Sequence, residues 1–284
     1  MRNRISERIP VLQHVCKIRS QTTFLVLMVV FVLTGCEQKH NQDVDVTARV
    51  SDADAISTPS EEAARAFKAA GGLSAWMDTT KLQLDCVVTF YQADGSFYLT
   101  EQSYEVRPWL NSIQISGDEP QGAFIWKLSN GQFYVLRGAG QMDALSKAVP
   151  SRCFAEVILD IITAPARFLD GSFEFSEKPV PVKIQGKWYY PIKRQGKDPA
   201  AHISEAVFYQ DRENSLVDMI RLACLDSGAG SKKTIQYVRG YDYQEVEKAG
   251  PLVPARIEIF ETDARDLTRK RVVTIDCNTI RRTR

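Results

Sequence analysis

Cysteines, histidines and close acidic pairs are the residues of this 284-residue chain whose chemistry goes beyond packing. Cys86, Cys153, Cys224 and Cys277 stand far apart, and no Cys-x-x-Cys pair occurs. That spacing suits disulfides or buried thiols rather than a zinc ligand set. Four cysteines allow three full pairings, and the sequence leaves the choice open. Cys86 and Cys224 both fall on apolar strand faces. His14, His40 and His202 are too few for a His-rich metal site, and His202, after Ala200-Ala201, reads as a loop residue. There is no Gly-x-Ser-x-Gly nucleophile elbow and no dinucleotide fingerprint. Gly228-Ala229-Gly230-Ser231-Lys232-Lys233 lacks the spacing of a phosphate loop. Glu174 with Glu177, and Asp263 with Asp266, read as solvated loop charges rather than acid–base pairs. The expectation is a protein without enzymatic activity, cofactor or metal.

The N-terminal region carries different chemistry. Arg2, Arg4, Arg8, Lys17 and Arg19 form a basic leader opposed only by Glu7. Phe24 to Leu33 are ten consecutive apolar residues. As a helix they would rise only ~15 Å, about half of the ~30 Å hydrocarbon core. A positive region, a short apolar run and a small-residue site have the order of a signal peptide. The site, Leu33-Thr34-Gly35-Cys36, resembles the lipobox of bacterial lipoproteins. That resemblance implies cleavage before Cys36, acylation of its thiol and new amino group, and anchoring in a membrane. One chain holds marginally at ~0.8 kcal/mol per buried methylene, whereas two or three hold permanently. Glu37 follows instead of the aspartate that retains enterobacterial lipoproteins at the inner membrane. The periplasmic face of the outer membrane is therefore favoured.

Three regions follow: a signal peptide over 1–35, a lipidated cysteine with a polar tether over 36–57, and one folded domain over 58–284. A coil of about twenty residues spans ~25 Å, enough to hold a domain off a bilayer. The whole chain has 36 basic and 35 acidic residues; removing five and one leaves 31 and 34, a net charge of −3. No nucleic-acid surface is implied. A hydrophobic share of 44% with 25% charged residues excludes a mostly disordered chain.

The elements must position whatever binds. Thr58-Pro59-Ser60-Glu61 predicts a helix start, with Thr58 as cap and Pro59 at the first position. Gly71-Gly72 stops the helix, and Leu73 to Asp78 form a short turn carrying Trp76. From Lys81 the period becomes two, with Leu82, Leu84, Cys86, Val88 and Phe90 on one face. Ala93-Asp94-Gly95 and Asn130-Gly131 mark hairpins. Strands are expected over Ser96–Arg107, Asn111–Ser116, Gly122–Ser129 and Gln132–Arg137. Arg152 to Thr163 reads as a helix with Phe154, Val157, Ile158, Ile161 and Ile162 on one side, ended by Ala164-Pro165. Further strands run over Val180–Ile184, Lys187–Lys193, Ile203–Gln210, Ser215–Ala223, Lys233–Asp242, Ala255–Glu261 and Arg271–Asn278. Arg281-Arg282-Thr283-Arg284 reads as a frayed tail. The fold class is α+β, mainly antiparallel β: one curved, unclosed half-barrel of about ten strands with helices on its concave side.

The concave face would carry Leu84, Val88, Phe90, Trp126, Trp188 and Tyr190. Few helices are available to fill such a sheet. Either apolar side chains pack it solid, or a cavity remains for a hydrophobic small molecule or a lipid acyl chain. Trp109, Phe124 and Trp126 would rim that cavity or pack in the core.

An ordered series of motifs adds a resemblance over residues 60 to 280. It comprises Gly71-Gly72-Leu73-Ser74-Ala75-Trp76 closing the first helix, Arg107-Pro108 leading into Asn111 to Ile115, and the Asn130-Gly131 hairpin before a central helix. Ala206-Val207-Phe208-Tyr209-Gln210-Asp211, Tyr241-Asp242-Tyr243 and Gly250-Pro251-Leu252-Val253-Pro254-Ala255-Arg256-Ile257 follow. In this order the chain resembles the LolA/LolB-like family, including LppX-like lipid-binding lipoproteins. The resemblance implies an unclosed half-barrel with a helical lid over an apolar cavity for acyl chains, and a part in lipid or lipoprotein trafficking. Ser112 stands where the soluble carriers tend to place an arginine that ties to the lid. The receptor-like or LppX-like end of the family therefore fits better than the carrier end. The competing expectation is a structural or assembly lipoprotein of the outer membrane that docks an envelope protein partner and has no ligand cavity.

Overall fold

The computed structural model describes residues 60–119, 122–140, 149, 151–169, 173–175, 180–194, 203–225, 233–262 and 269–284. The leader, Cys36, the tether, His40, His202, Glu177, Asp263, Asp266 and the Gly228 turn lie outside them, as do Thr58 and Pro59.

The period of two is realised in β1 (Lys81–Tyr91), where Leu82, Leu84, Cys86, Val88 and Phe90 are all buried. At Asp94 the carboxylate accepts the Ser96 N–H at 2.9 Å and hydroxyl at 2.7 Å, turning the chain into β2 (Phe97–Arg107). Pro108 opens a single 3₁₀ turn, Pro108–Leu110, left by Asn111 at φ 46°. β3 (Ser112–Glu119), β4 (Gly122–Ser129) and β5 (Gln132–Arg137) follow. Asn130 and Gly131 at φ 50° and 75° make the β4–β5 hairpin, as Asn-Gly favours. The later strands are β6 (Phe173–Glu174), β7 (Val182–Ile184), β8 (Lys187–Arg194), β9 (Ile203–Asp211), β10 (Val217–Leu225), β11 (Lys233–Glu245), β12 (Leu252–Thr262) and β13 (Arg269–Thr283).

Thirteen described strands, rather than about ten, form one antiparallel sheet in the order β5-β4-β3-β2-β1-β13-β12-β11-β10-β9-β8-β6, with β7 also on β8. The two arms, β1–β5 and β6–β13, meet where the first strand pairs with the last. β5 and β6 end the path without pairing to each other, so the sheet is unclosed.

Four helices accompany it among the described residues: α1 (Glu61–Ala69), α2 (Leu73–Met77), α3 (Ser151–Ile162) and α4 (Ala164–Arg167). α3 touches β3 and β4 in one arm and β10, β11 and β12 in the other. β4 and β10 are seven strand steps apart, ~34 Å in a flat sheet at ~4.8 Å per step. A helix of 12 residues is only ~18 Å long. The sheet must therefore bend around α3.

Two local expectations are corrected and one is met. The first helix is capped by Ser60, whose hydroxyl oxygen accepts the Ala63 N–H at 3.2 Å. The helix ends before Ala164-Pro165 as expected, and Pro165 sits in the first turn of the separate α4, where its missing N–H leaves no bond unmade. The C-terminal arginines continue β13, and Thr283 pairs with Lys81. The Arg282 side chain is only 2% exposed, and its guanidinium lies 3.3 Å from Glu247 and 3.3 Å from the Lys248 carbonyl.

Gly71 explains how the helices seat. Its φ is +99°, and a Cβ there would lie 2.7 Å from the Gly250 carbonyl oxygen. Beside it the Leu252 N–H donates to Ala70 O at 2.9 Å, joining α1 to the β11–β12 hairpin. Gly72 also has positive φ, +92°, but faces open space. Gly71→Ala is expected to destabilise the fold by about 2–4 kcal/mol, through strain plus clash, and Gly72→Ala by about 1 kcal/mol through strain alone. Urea denaturation of both variants checks the difference.

Candidate functional site

The inner face of the bent sheet is the candidate site. Leu84, Val88 and Phe90 on β1 and Trp126 on β4 are at most 1% exposed and belong to one continuous apolar cluster. Phe90 lies 6.2 Å from Phe154 of α3, ring centre to ring centre. Trp126 lies 4.6 Å from Phe124 and donates its indole N–H to Ala139 O at 2.7 Å. Trp109 is half-buried and packs against this cluster, its indole N–H bonded to Trp76 O at 3.0 Å.

The structure gathers four of the six expected lining residues and leaves two at the margin. Tyr190 and Trp188 share the inward parity of Ile192 and Arg194, but they sit near the tip of β8 outside the cluster. The Arg65 guanidinium lies 6.0 Å from the Tyr190 ring centre. Trp188 is 44% exposed, with the Lys183 ammonium 5.8 Å from its ring. For Trp188 a place in an enclosed lining is thus corrected: it stands where the strand runs out into the turn at Gln185-Gly186.

Helix α3 fills the concavity. Ten of its 12 residues are buried, so it is enclosed all round rather than apolar on one side. Leu84, Val88, Trp126, Phe154, Val157 and Ile158 are 0% exposed, which means no water-sized space touches them. Around these residues the concavity is packed rather than hollow.

Two fastenings hold α3. Near its start Cys153 is joined by a disulfide to Cys224 of β10, across 71 residues of sequence and with Cα atoms 6.2 Å apart. Toward its end Asp160 is buried between Arg194 of β8, at 2.7 Å, and Arg167 of α4, at 3.1 Å. The Arg194 guanidinium also lies 5.7 Å from the Phe208 ring. Arg152 and Glu156, paired at 3.2 Å, are the only two residues of α3 that are not buried. Burial raises the Glu156 carboxyl above its ordinary value against the opposing pull of Arg152.

The outer face differs. A shallow groove of about 610 Å³ crosses β1–β4, with a mixed lining that includes Asp85, Glu101, Asp118 and Arg137 beside Val87 and Ile125. On the other arm, Tyr189, Val207, Tyr209, Met219 and Tyr237 form a small second apolar cluster. Among the described residues no group of three or more His, Cys, Asp or Glu could hold a metal. No described helix is long and apolar enough to cross a membrane.

No family model matches the sequence, and no curated protein matches it. Among solved structures, the chain is similar to a LolA superfamily protein from Nitrosomonas europaea, with 12% identity and a TM-score of 0.46 over 80% of this chain and 95% of that one. It is similar to a DUF1329 family protein from Desulfovibrio piger, with 9% identity and a TM-score of 0.42 over 78% and 91%. A putative outer membrane lipoprotein-sorting protein domain from Vibrio parahaemolyticus gives 9% identity and a TM-score of 0.44 over 79% and 92%.

Sequence reasoning missed the latch. Asp160 lies inside an apolar helical run, and its neighbours Arg167 and Arg194 come from separate elements. The available signal was the anomaly itself, an aspartate between Leu159 and Ile161. Asp160→Asn leaves two guanidinium groups facing a neutral amide. It is expected to destabilise the protein by about 3–5 kcal/mol, the usual effect of breaking a buried ion pair, as measured by urea denaturation. Glu156→Gln acts in the opposite direction. The folded state holds the Glu156 proton more tightly than the unfolded chain does. Its charge therefore opposes folding increasingly as pH rises through the raised folded value. The variant should be more stable than the parent at neutral pH and lose that advantage in acid.

Proposed function

We propose that this chain is a lipid-anchored periplasmic protein, tethered through Cys36 to the outer membrane, that binds lipid acyl chains against the inner face of its sheet. The observation that carries this reading is the apolar cluster from Leu84 to Trp126, which is closed off by short helices, α3 chief among them, rather than by a second sheet. The arrangement described is then the closed form, with α3 standing where an acyl chain would lie. Exchange is energetically accessible. About fifteen methylenes contribute ~12 kcal/mol on burial, to be set against the apolar contacts of α3, while the buried ion pairs themselves add little net stability. The ligand would replace apolar contacts that the helix gives up. The Cys153–Cys224 bond keeps the start of α3 in place, so motion is confined to the Asp160 end.

A second reading rests on the same fastenings. A helix enclosed all round, with a disulfide near its start and two ion pairs toward its end, suits a permanent core. The protein would then be an assembly lipoprotein that docks an envelope partner. Neither reading includes a catalytic step.

Native mass spectrometry of the mature protein, with titration of an environment-sensitive fatty acid, separates the two. The expected result is bound acyl ligand or saturable probe binding, faster in Asp160→Asn. If neither form takes up the probe, oxidised or reduced, the helix is permanent and the docking reading stands. Anchoring is checked separately: Cys36→Ala should abolish incorporation of labelled palmitate.

A further inference from the structure

Cys86 and Cys277 face each other across the seam of the sheet. Their sulfur atoms are 3.0 Å apart, and the residues are 3% and 8% exposed. The ladder that joins β1 to β13 is regular from Lys81–Thr283 to Asp85–Thr279, then skips Asn278 so that Cys86 pairs with Cys277. In an uninterrupted ladder Cys86 would oppose Asn278, and Cys277 would point to the outer face, because side chains alternate. The phase of β13 inverts at this bulge. Val273 and Ile275 oppose the inward Phe90 and Val88 on odd numbers, whereas Ile280 and Arg282 oppose the inward Leu84 and Leu82 on even ones. The single irregularity in this pairing is thus what sets the two thiols opposite one another.

We propose that Cys86 and Cys277 form a second disulfide in the exported protein, bonding the first strand to the last. The inference rests on the reading of an oxidising periplasm, which the Cys153–Cys224 bond independently favours. Directly opposed antiparallel residues have Cα atoms ~4.5–5.5 Å apart, inside the ~4.4–6.8 Å range of disulfides. Closing the sulfurs from 3.0 Å to ~2.05 Å needs side-chain rotation but no strand shift. The oxidant is a protein disulfide of the thiol-oxidase class. One cysteine thiolate attacks it to form a mixed disulfide, and one oxidant sulfur leaves as a thiolate. The second cysteine thiolate then attacks the mixed disulfide, forming the Cys86–Cys277 bond and releasing the other oxidant sulfur. Two S–H bonds of the chain are lost, and two electrons and two protons reduce the oxidant to its dithiol. In the closed sheet the Cys86 thiol is pushed far up by its hydrogen bond with Cys277, by burial and by Asp85 and Asp276. Thiolate attack therefore belongs to the stage before β13 seats.

The test is thiol mapping of the full chain exported with its own leader. The protein is denatured in an alkylating agent without reductant, digested and analysed by mass spectrometry. The expected result is one linked peptide pair holding Cys86 and Cys277 and another holding Cys153 and Cys224. In Cys277→Ser, Cys86 should be recovered alkylated while the Cys153–Cys224 pair stays linked. Recovery of Cys86 and Cys277 alkylated beside an intact Cys153–Cys224 pair overturns the proposal, as does any link from Cys86 to another cysteine. Recovery of all four alkylated overturns the oxidising-compartment reading and the proposal together.

Discussion

The burial of α3 in the hollow of the sheet is the interaction on which the other features depend. A sheet this wide has an apolar inner face on both arms, and water must be excluded from all of it. One short helix accomplishes this only if the arms fold in to meet it. The helix is accordingly buried on nearly every side, with Phe154, Val157 and Ile158 wholly inaccessible. The curvature of the sheet, the enclosure of Trp126 and the position of Phe90 all follow from that contact. So does the tension in function: the feature that completes the core also occupies the volume a ligand would use.

Polar groups inside such an interior must be paired. Asp160 satisfies this with two arginines from different elements, and Arg282 with Glu247 and backbone carbonyls of the β11–β12 hairpin. In both cases the charge is met by groups remote in sequence, so it fixes how elements sit relative to one another more than it adds net stability. Asp160 registers α3 against β8 and α4, while Arg282 registers the end of β13 against the hairpin that also receives Gly71.

Local rules made much of this legible in advance. Alternation located β1, Asn130-Gly131 located the β4–β5 hairpin, and the helical period over Arg152 to Thr163 located α3 within one residue. The inward parity of Leu84, Val88, Phe90 and Trp126 was also readable, since it needs only a period of two. What could not be read depends on contacts between distant segments. The pairing of Cys153 with Cys224, the partners of Asp160 and the state of the concavity are set by how the arms close. Trp188 has the correct parity but lies where the strand leaves the sheet, and parity carries no information about strand ends. The arginine-rich terminus looked like solvent-exposed tail because charge usually signals exposure. Here β1 supplied a partner edge that composition does not reveal, and the bulge at Asn278 moved Arg282 to the inner face.

The meeting of first and last strands at mid-sheet has a consequence for biogenesis. Until β13 emerges, β1 keeps an unpaired edge and the two arms share no ladder. In a chain made from its N-terminus the ladder between the two arms is therefore the last to form, after α3 is already available to both.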